Sequence, residues 1–116
     1  MKTVSLADVQ KCPVDMEGAA KVCRQLPIGS ADGSPMFSFR VFTLAPGGYT
    51  PYHTHAWEHI NYIISGQGVL INGDGNEHPL TTGDFAFVNP DEKHQYRNAS
   101  GTEDFVMICA VPKEFE

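Results

Sequence analysis

The chain has 116 residues, enough for one domain, and carries eight Lys and Arg against fourteen Asp and Glu, a net charge of −6. Its few cations are scattered rather than gathered in a stripe, which excludes a nucleic-acid backbone as partner. No run approaches the roughly 18 consecutive apolar residues of a membrane span, and Met1–Asp8 lacks the apolar core of a signal peptide, so the expected compartment is the cytoplasm, with no membrane partner.

Taken in chain order, residues 1–35 read as an N-terminal extension with strands that packs on a barrel formed by residues 36–116. Within the extension, residues 15–22 are the one place for a single helical turn, and Gly18 limits it to that. Beyond it, turn clusters recur about every ten residues: 29–35, 46–48, 65–68, 72–76, 82–84 and 98–101. Between them lie runs rich in β-branched and aromatic residues, Met36 to Leu44, Ile60 to Ile64, Val69 to Ile71 and Phe85 to Val88. Short strands at this spacing predict an all-β sandwich or barrel, with Asn72 to Asn76 as a hairpin tip.

Strand alternation puts Phe37, Phe39 and Val41 on one face of the run Met36 to Leu44 and Arg40, Phe42 and Leu44 on the other. Both faces are apolar, so the outer one needs a cover, and a homodimer is expected. Three cysteines, at 12, 23 and 109, form no Cys-x-x-Cys pair. Cys109, inside the run Phe105 to Val111, reads as a small buried hydrophobe.

Histidine is the distinctive residue. His53, His55 and His59 fall within seven positions, and His94 precedes a later strand. Neutral imidazole is a common ligand for transition metals, and crowding three into one short segment serves no apolar core. His53 and His55, two apart, point the same way on a strand, and a barrel can bring His59 and His94 to meet them. His78, in the polar stretch Gly75 to Pro79, reads as a surface residue. The segment His55-Ala56-Trp57-Glu58-His59 also matches an inverted zinc-peptidase motif, but that chemistry needs a helix, and Pro51 upstream and the β run 60–64 downstream oppose one.

These residues resemble the two motifs of the cupin superfamily. Gly47, His53, His55, position 59 and Gly66 keep every spacing of Gly-x5-His-x-His-x3-Glu-x6-Gly. Gly83, His94 and Asn98 keep the overall distances of Gly-x5-Pro-x-Gly-x2-His-x3-Asn. The resemblance implies a small single-domain jelly-roll barrel, a double-stranded β-helix, with one divalent transition metal per chain inside. Two departures stand out. His59 replaces the usual Glu, with Glu58 one residue out of register, which implies a four-histidine site of His53, His55, His59 and His94. Pro90 lies one place late and Asp91 takes the usual Gly position, where Asp tolerates left-handed backbone.

Four neutral imidazoles leave the charge of Fe, Mn, Ni, Cu or Zn uncompensated, so a small anionic molecule is the expected partner. From strand phase Asn61 lies with His59 and Tyr96 with His94, and Trp57, Phe39, Tyr49 and Tyr52 are further pocket candidates. Asn98 is expected to tie down a turn. The reading is of a small metalloenzyme using Fe(II) or Mn(II), with dioxygen or as a Lewis acid, on an enolate, diketone or oxoacid. Glu58 is the only candidate general base. A non-catalytic metal-dependent binding protein is the alternative.

Overall fold

The structure, a computed structural model, describes all residues 1–116 and is built almost wholly of antiparallel strands. They are β1 (Cys12–Pro13), β2 (Ala20–Ile28), β3 (Phe37–Tyr49), β4 (His59–Ser65), β5 (Gln67–Asn72), β6 (Glu77–Thr81), β7 (Phe85–Val88), β8 (His94–Asn98) and β9 (Phe105–Pro112). Three single-turn 3-10 helices complete the regular structure, and no helix is long and apolar enough to cross a membrane.

The strands hydrogen-bond in the order β6-β5-β8-β3-β9-β4-β7, with β1 and β2 added beside β3. The thirteen-residue β3 makes the corner of the roll. Its first part, Phe37 to Leu44, pairs residue by residue with β9, whereas Tyr49 pairs with Arg97 of β8. Pro46, Gly47 and Gly48 lie between, with Gly47 at φ 81°, and let one strand pass from one layer to the other. The core between the layers is Val22, Leu44, Ile63, Tyr96, Phe105 and Met107. β9 shows the alternation most cleanly: Phe105, Met107, Cys109 and Val111 are buried, and the residues between them are half-buried.

Several expectations are met in detail. Asn72 closes the β5–β6 hairpin, its side-chain oxygen accepting from the backbone N–H of Asp74 and Asn76, each at 3.0 Å. Asn98 ties the loop after β8, donating to the carbonyls of Leu44 and Glu103 and accepting from Ser100 N–H. Asp91 holds φ 63°, the left-handed conformation its motif position requires.

Two readings need correcting. Residues 15–22 contain no helix: a tight turn around Glu17 and Gly18 (φ 84°) leads straight into β2, because pairing with β3 outweighs weak local helix preference. His78 lies within β6 rather than in a turn, although it is exposed as expected. Cys12 sits opposite Arg24, the neighbour of Cys23, so the two cysteines point to opposite faces of the β1–β2 ladder; all three cysteines are free thiols.

Candidate metal centre

The segment between β3 and β4 runs antiparallel to the start of β8, where His53 and His94 exchange backbone hydrogen bonds: His53 N–H to His94 O at 3.1 Å and His94 N–H to His53 O at 3.0 Å. Asp91 N–H donates to His55 O at 2.8 Å and fixes the next ligand position. The chain at 55–59 is not helical, so the peptidase reading of this segment fails on geometry.

Donor nitrogens of His53, His55 and His94 all lie within 4.8 Å of one another. His59, the first residue of β4, packs its ring against His55 (centroids 4.3 Å apart) and His94 (5.1 Å). The structure thus brings three imidazole donors to one focus and the fourth ring alongside.

Hydrogen bonds fix which nitrogen faces the focus. His55 Nδ1 lies 2.7 Å from the Trp57 carbonyl, and His94 Nδ1 lies 2.9 Å from the Glu92 carbonyl. A carbonyl only accepts, so each Nδ1 carries the proton and each Nε2 keeps its lone pair, the arrangement that orients metal-binding histidines. His55 Nε2 is buried with no partner in the protein, as a ligand atom would be. The donor set, three or four neutral nitrogens, fits a divalent transition metal.

Burial, followed by the charge of neighbouring imidazoles, holds His53 below its usual proton affinity. Burial also lowers His55 and His94, each partly offset by its carbonyl bond, and takes His59 down to about 2. The rings are therefore free bases, ready to ligate, across the neutral range.

Around the histidines lies a cavity of about 310 Å³. Among the pocket candidates, Asn61, Tyr96 and Trp57 line it. Tyr96 donates its hydroxyl to Asn61 Oδ1 at 2.7 Å, and burial raises its pKa, so it stays a neutral donor. Trp57 is sandwiched between His55 (4.3 Å) and Phe115 (4.1 Å).

Phe39, Tyr49 and Tyr52 do not line the cavity. Phe39 alternates with the inward Arg40 and Phe42 and is 44% exposed. Tyr49 lies beyond the β3 bend on the outer surface, and Tyr52 alternates with His53, its ring under the Lys93 ammonium and its hydroxyl on the Asn72 carbonyl. Glu58 is half-buried but away from the cavity wall, which holds no carboxylate.

Two residues escape the sequence reading as neighbours of the histidines, Arg40 on the cavity wall and Cys109 behind it. Arg40 lines the wall, and its Nη2 lies 3.0 Å from Cys109 Sγ, which in turn is 3.5 Å from His59 Nδ1. The signal is present in both cases: Arg40 shares a face with Phe42 and Leu44, and Cys109 shares one with Met107.

The family model described as a cupin domain matches residues 40–111. The chain belongs to the cupin family. Among solved structures it is similar to the polyketide cyclase RemF from Streptomyces resistomycificus, at 29% identity and TM-score 0.91, covering 97% of this chain and 79% of that one. A predicted oxalate decarboxylase from Thermotoga maritima shares 24% identity at TM-score 0.83, with 97% and 99% covered. A cupin-superfamily sugar phosphate isomerase from Silicibacter pomeroyi shares 19% at TM-score 0.77, with 95% and 75% covered. The last two likenesses establish the fold alone. A comparison with curated proteins finds no match. The three-histidine cluster in this cupin barrel is its candidate metal site.

Proposed function

We propose that this cupin is a metalloenzyme that takes a small oxygen-chelating substrate, an enolate, diketone or oxoacid, at a divalent ion held by His53, His55, His59 and His94. The observation that carries the reading is the convergence of these imidazoles, with His55 Nε2 buried and unpartnered, beside an apolar-walled cavity. A bound Fe(II) or Mn(II) would supply Lewis acidity, or redox chemistry with dioxygen. The chain itself orients the ligands through the Trp57 and Glu92 carbonyls, and its neutral Tyr96 and Asn61 hold each other in place on the cavity wall. Likeness to a polyketide cyclase favours the redox-neutral version, a ring closure.

A second reading, non-catalytic metal-dependent binding, draws support from the lack of any carboxylate on the wall to serve as general base. One assay separates them. Iron- and manganese-loaded protein is mixed with diketones, oxoacids and catechols while oxygen uptake and product mass are followed. Conversion without oxygen uptake is expected; uptake with conversion selects the dioxygen chemistry, and no conversion of any compound selects the binding protein.

The reading includes a homodimer in the cytoplasm. Register lines up Phe39, Ala110, Ile60 and Phe87 across β3, β9, β4 and β7, with Phe37 and Phe85 on the same outer face, and the five large side chains are exposed in the single chain. A second copy would cover this face. Light scattering is expected to give a dimer; a monomer at micromolar concentration would remove the dimer from the reading.

A further inference from the structure

Three buried side-chain atoms of this protein lack a hydrogen-bond partner: Arg40 Nε, His55 Nε2 and Trp57 Nε1. All three belong to residues that line the one cavity. His55 Nε2 is a lone-pair donor and is accounted for by a metal. The other two are N–H groups, and neither a guanidinium nor an indole N–H can ligate a metal cation. A wall with two unmatched donors calls for an acceptor.

Arg40 makes the stronger demand. It is only 8% exposed and carries a permanent charge. Its neighbours are the Phe115 carbonyl (Nη1, 3.3 Å), Cys109 Sγ (Nη2, 3.0 Å) and the Phe42 ring (5.0 Å). No carboxylate is among them. Both ion pairs of the chain, Lys2–Asp32 and Arg97–Glu77, lie elsewhere on the surface. Holding a cation in a low-dielectric site without a counter-ion is costly and is tolerated where a ligand supplies one. The same charge contributes to the lowered proton affinity of His55 and His59, so it is felt at the metal centre. Most of the remaining wall is apolar: Val14, Met16, Ala19, Val22, Phe42 and Met107.

We propose that Arg40 is the anion anchor of the cavity, binding a carboxylate or enolate oxygen of a ligand whose body is apolar and selecting such monoanions over neutral isosteres. This rests on the cavity being the substrate site of the proposed metalloenzyme. It names what that site selects: a singly charged oxygen acid with an aromatic or aliphatic body, rather than a sugar or a polyanion.

The test uses benzoate and its neutral isostere benzamide, with fluorescence of Trp57, the single tryptophan, as reporter. On zinc-loaded protein, benzoate is expected to bind about 10–100-fold tighter than benzamide, the range of a charge-assisted hydrogen bond. Arg40→Gln is expected to abolish the preference, and Arg40→Lys to keep part of it. Stripping the zinc with EDTA separates the two cations: the preference persists if Arg40 carries it and vanishes if only the ion does. Equal binding of both probes, or an unchanged preference in Arg40→Gln, overturns the proposal. If Arg40→Gln does not fold, the stripped wild type decides alone. Zinc content of the loaded wild type, measured before stripping, reports separately: stoichiometric zinc without benzoate preference sinks the anchor and spares the metal site, and benzoate preference in protein that takes up no zinc on loading does the reverse.

Discussion

His94→Ala protein is expected to purify with almost no divalent metal, against near-stoichiometric metal in the unaltered chain, and His53→Ala is expected to do the same. Each substitution removes one of three donors that lie within 4.8 Å of each other, whereas the backbone bonds at 53 and 94 do not depend on the side chain and keep the barrel folded. The loss of affinity should exceed the roughly 10–100-fold typical of removing a hydrogen-bond partner of a ligand. His59→Ala tells a three-histidine from a four-histidine centre, and His78→Ala, on exposed β6, is the control that should change nothing. Protons compete with metal for the same lone pairs. Because burial holds all four imidazoles below the ordinary value of 6.5, the neutral forms persist as pH falls past it. Metal retention should therefore extend below pH 6.5 before it collapses. Elemental analysis along a pH series checks this, and full metal in both His53→Ala and His94→Ala would remove those residues from the site.

Gly66→Ala is expected to be the most damaging single methyl in the molecule. Gly66, between β4 and β5, holds φ 85°, and a Cβ there would come within 2.1 Å of the Asp104 carbonyl oxygen. Left-handed strain of about 1–2 kcal/mol adds to an overpacking cost of about 1–3 kcal/mol, because backbone cannot step aside as a side chain can. The melting temperature should drop by roughly 10–20 °C. Gly75→Ala supplies the comparison: at φ 81° with nothing within 4 Å of the added atom, it should lose only the strain part. Equal melting points for the two variants would show that the contact with Asp104 contributes nothing.

Much of this architecture is legible in the sequence because period-two alternation and turn residues are local signals. The spacing of His53, His55 and His94 is equally plain, since two ligands share a strand face and the third is delivered by one backbone ladder. Other features depend on contacts distant in sequence. Residues 15–22 carry no strong pattern, and only pairing with β3 makes a strand of Ala20–Ile28. Phase counting sets Arg40 and Phe42 opposite Phe39, but nothing local says which face is inside, so the sequence points Phe39 into the pocket and overlooks Arg40. Tyr49 misleads for another reason: Pro46, Gly47 and Gly48 bend β3, and alternation counted across a bend no longer reports direction. Cys109 reads correctly as buried, yet its contacts with Arg40 and His59 come from β3 and β4 meeting β9 on either side.

The reciprocal backbone pair at 53 and 94 fastens two remote stretches of chain through main-chain groups that are not themselves ligands. Part of the loss of conformational freedom needed to gather the imidazoles is therefore met as the roll closes. Exchange of one metal for another should then resemble swapping stones in a rigid setting, with preference decided by ionic radius and coordination number rather than by which ion can organise the protein.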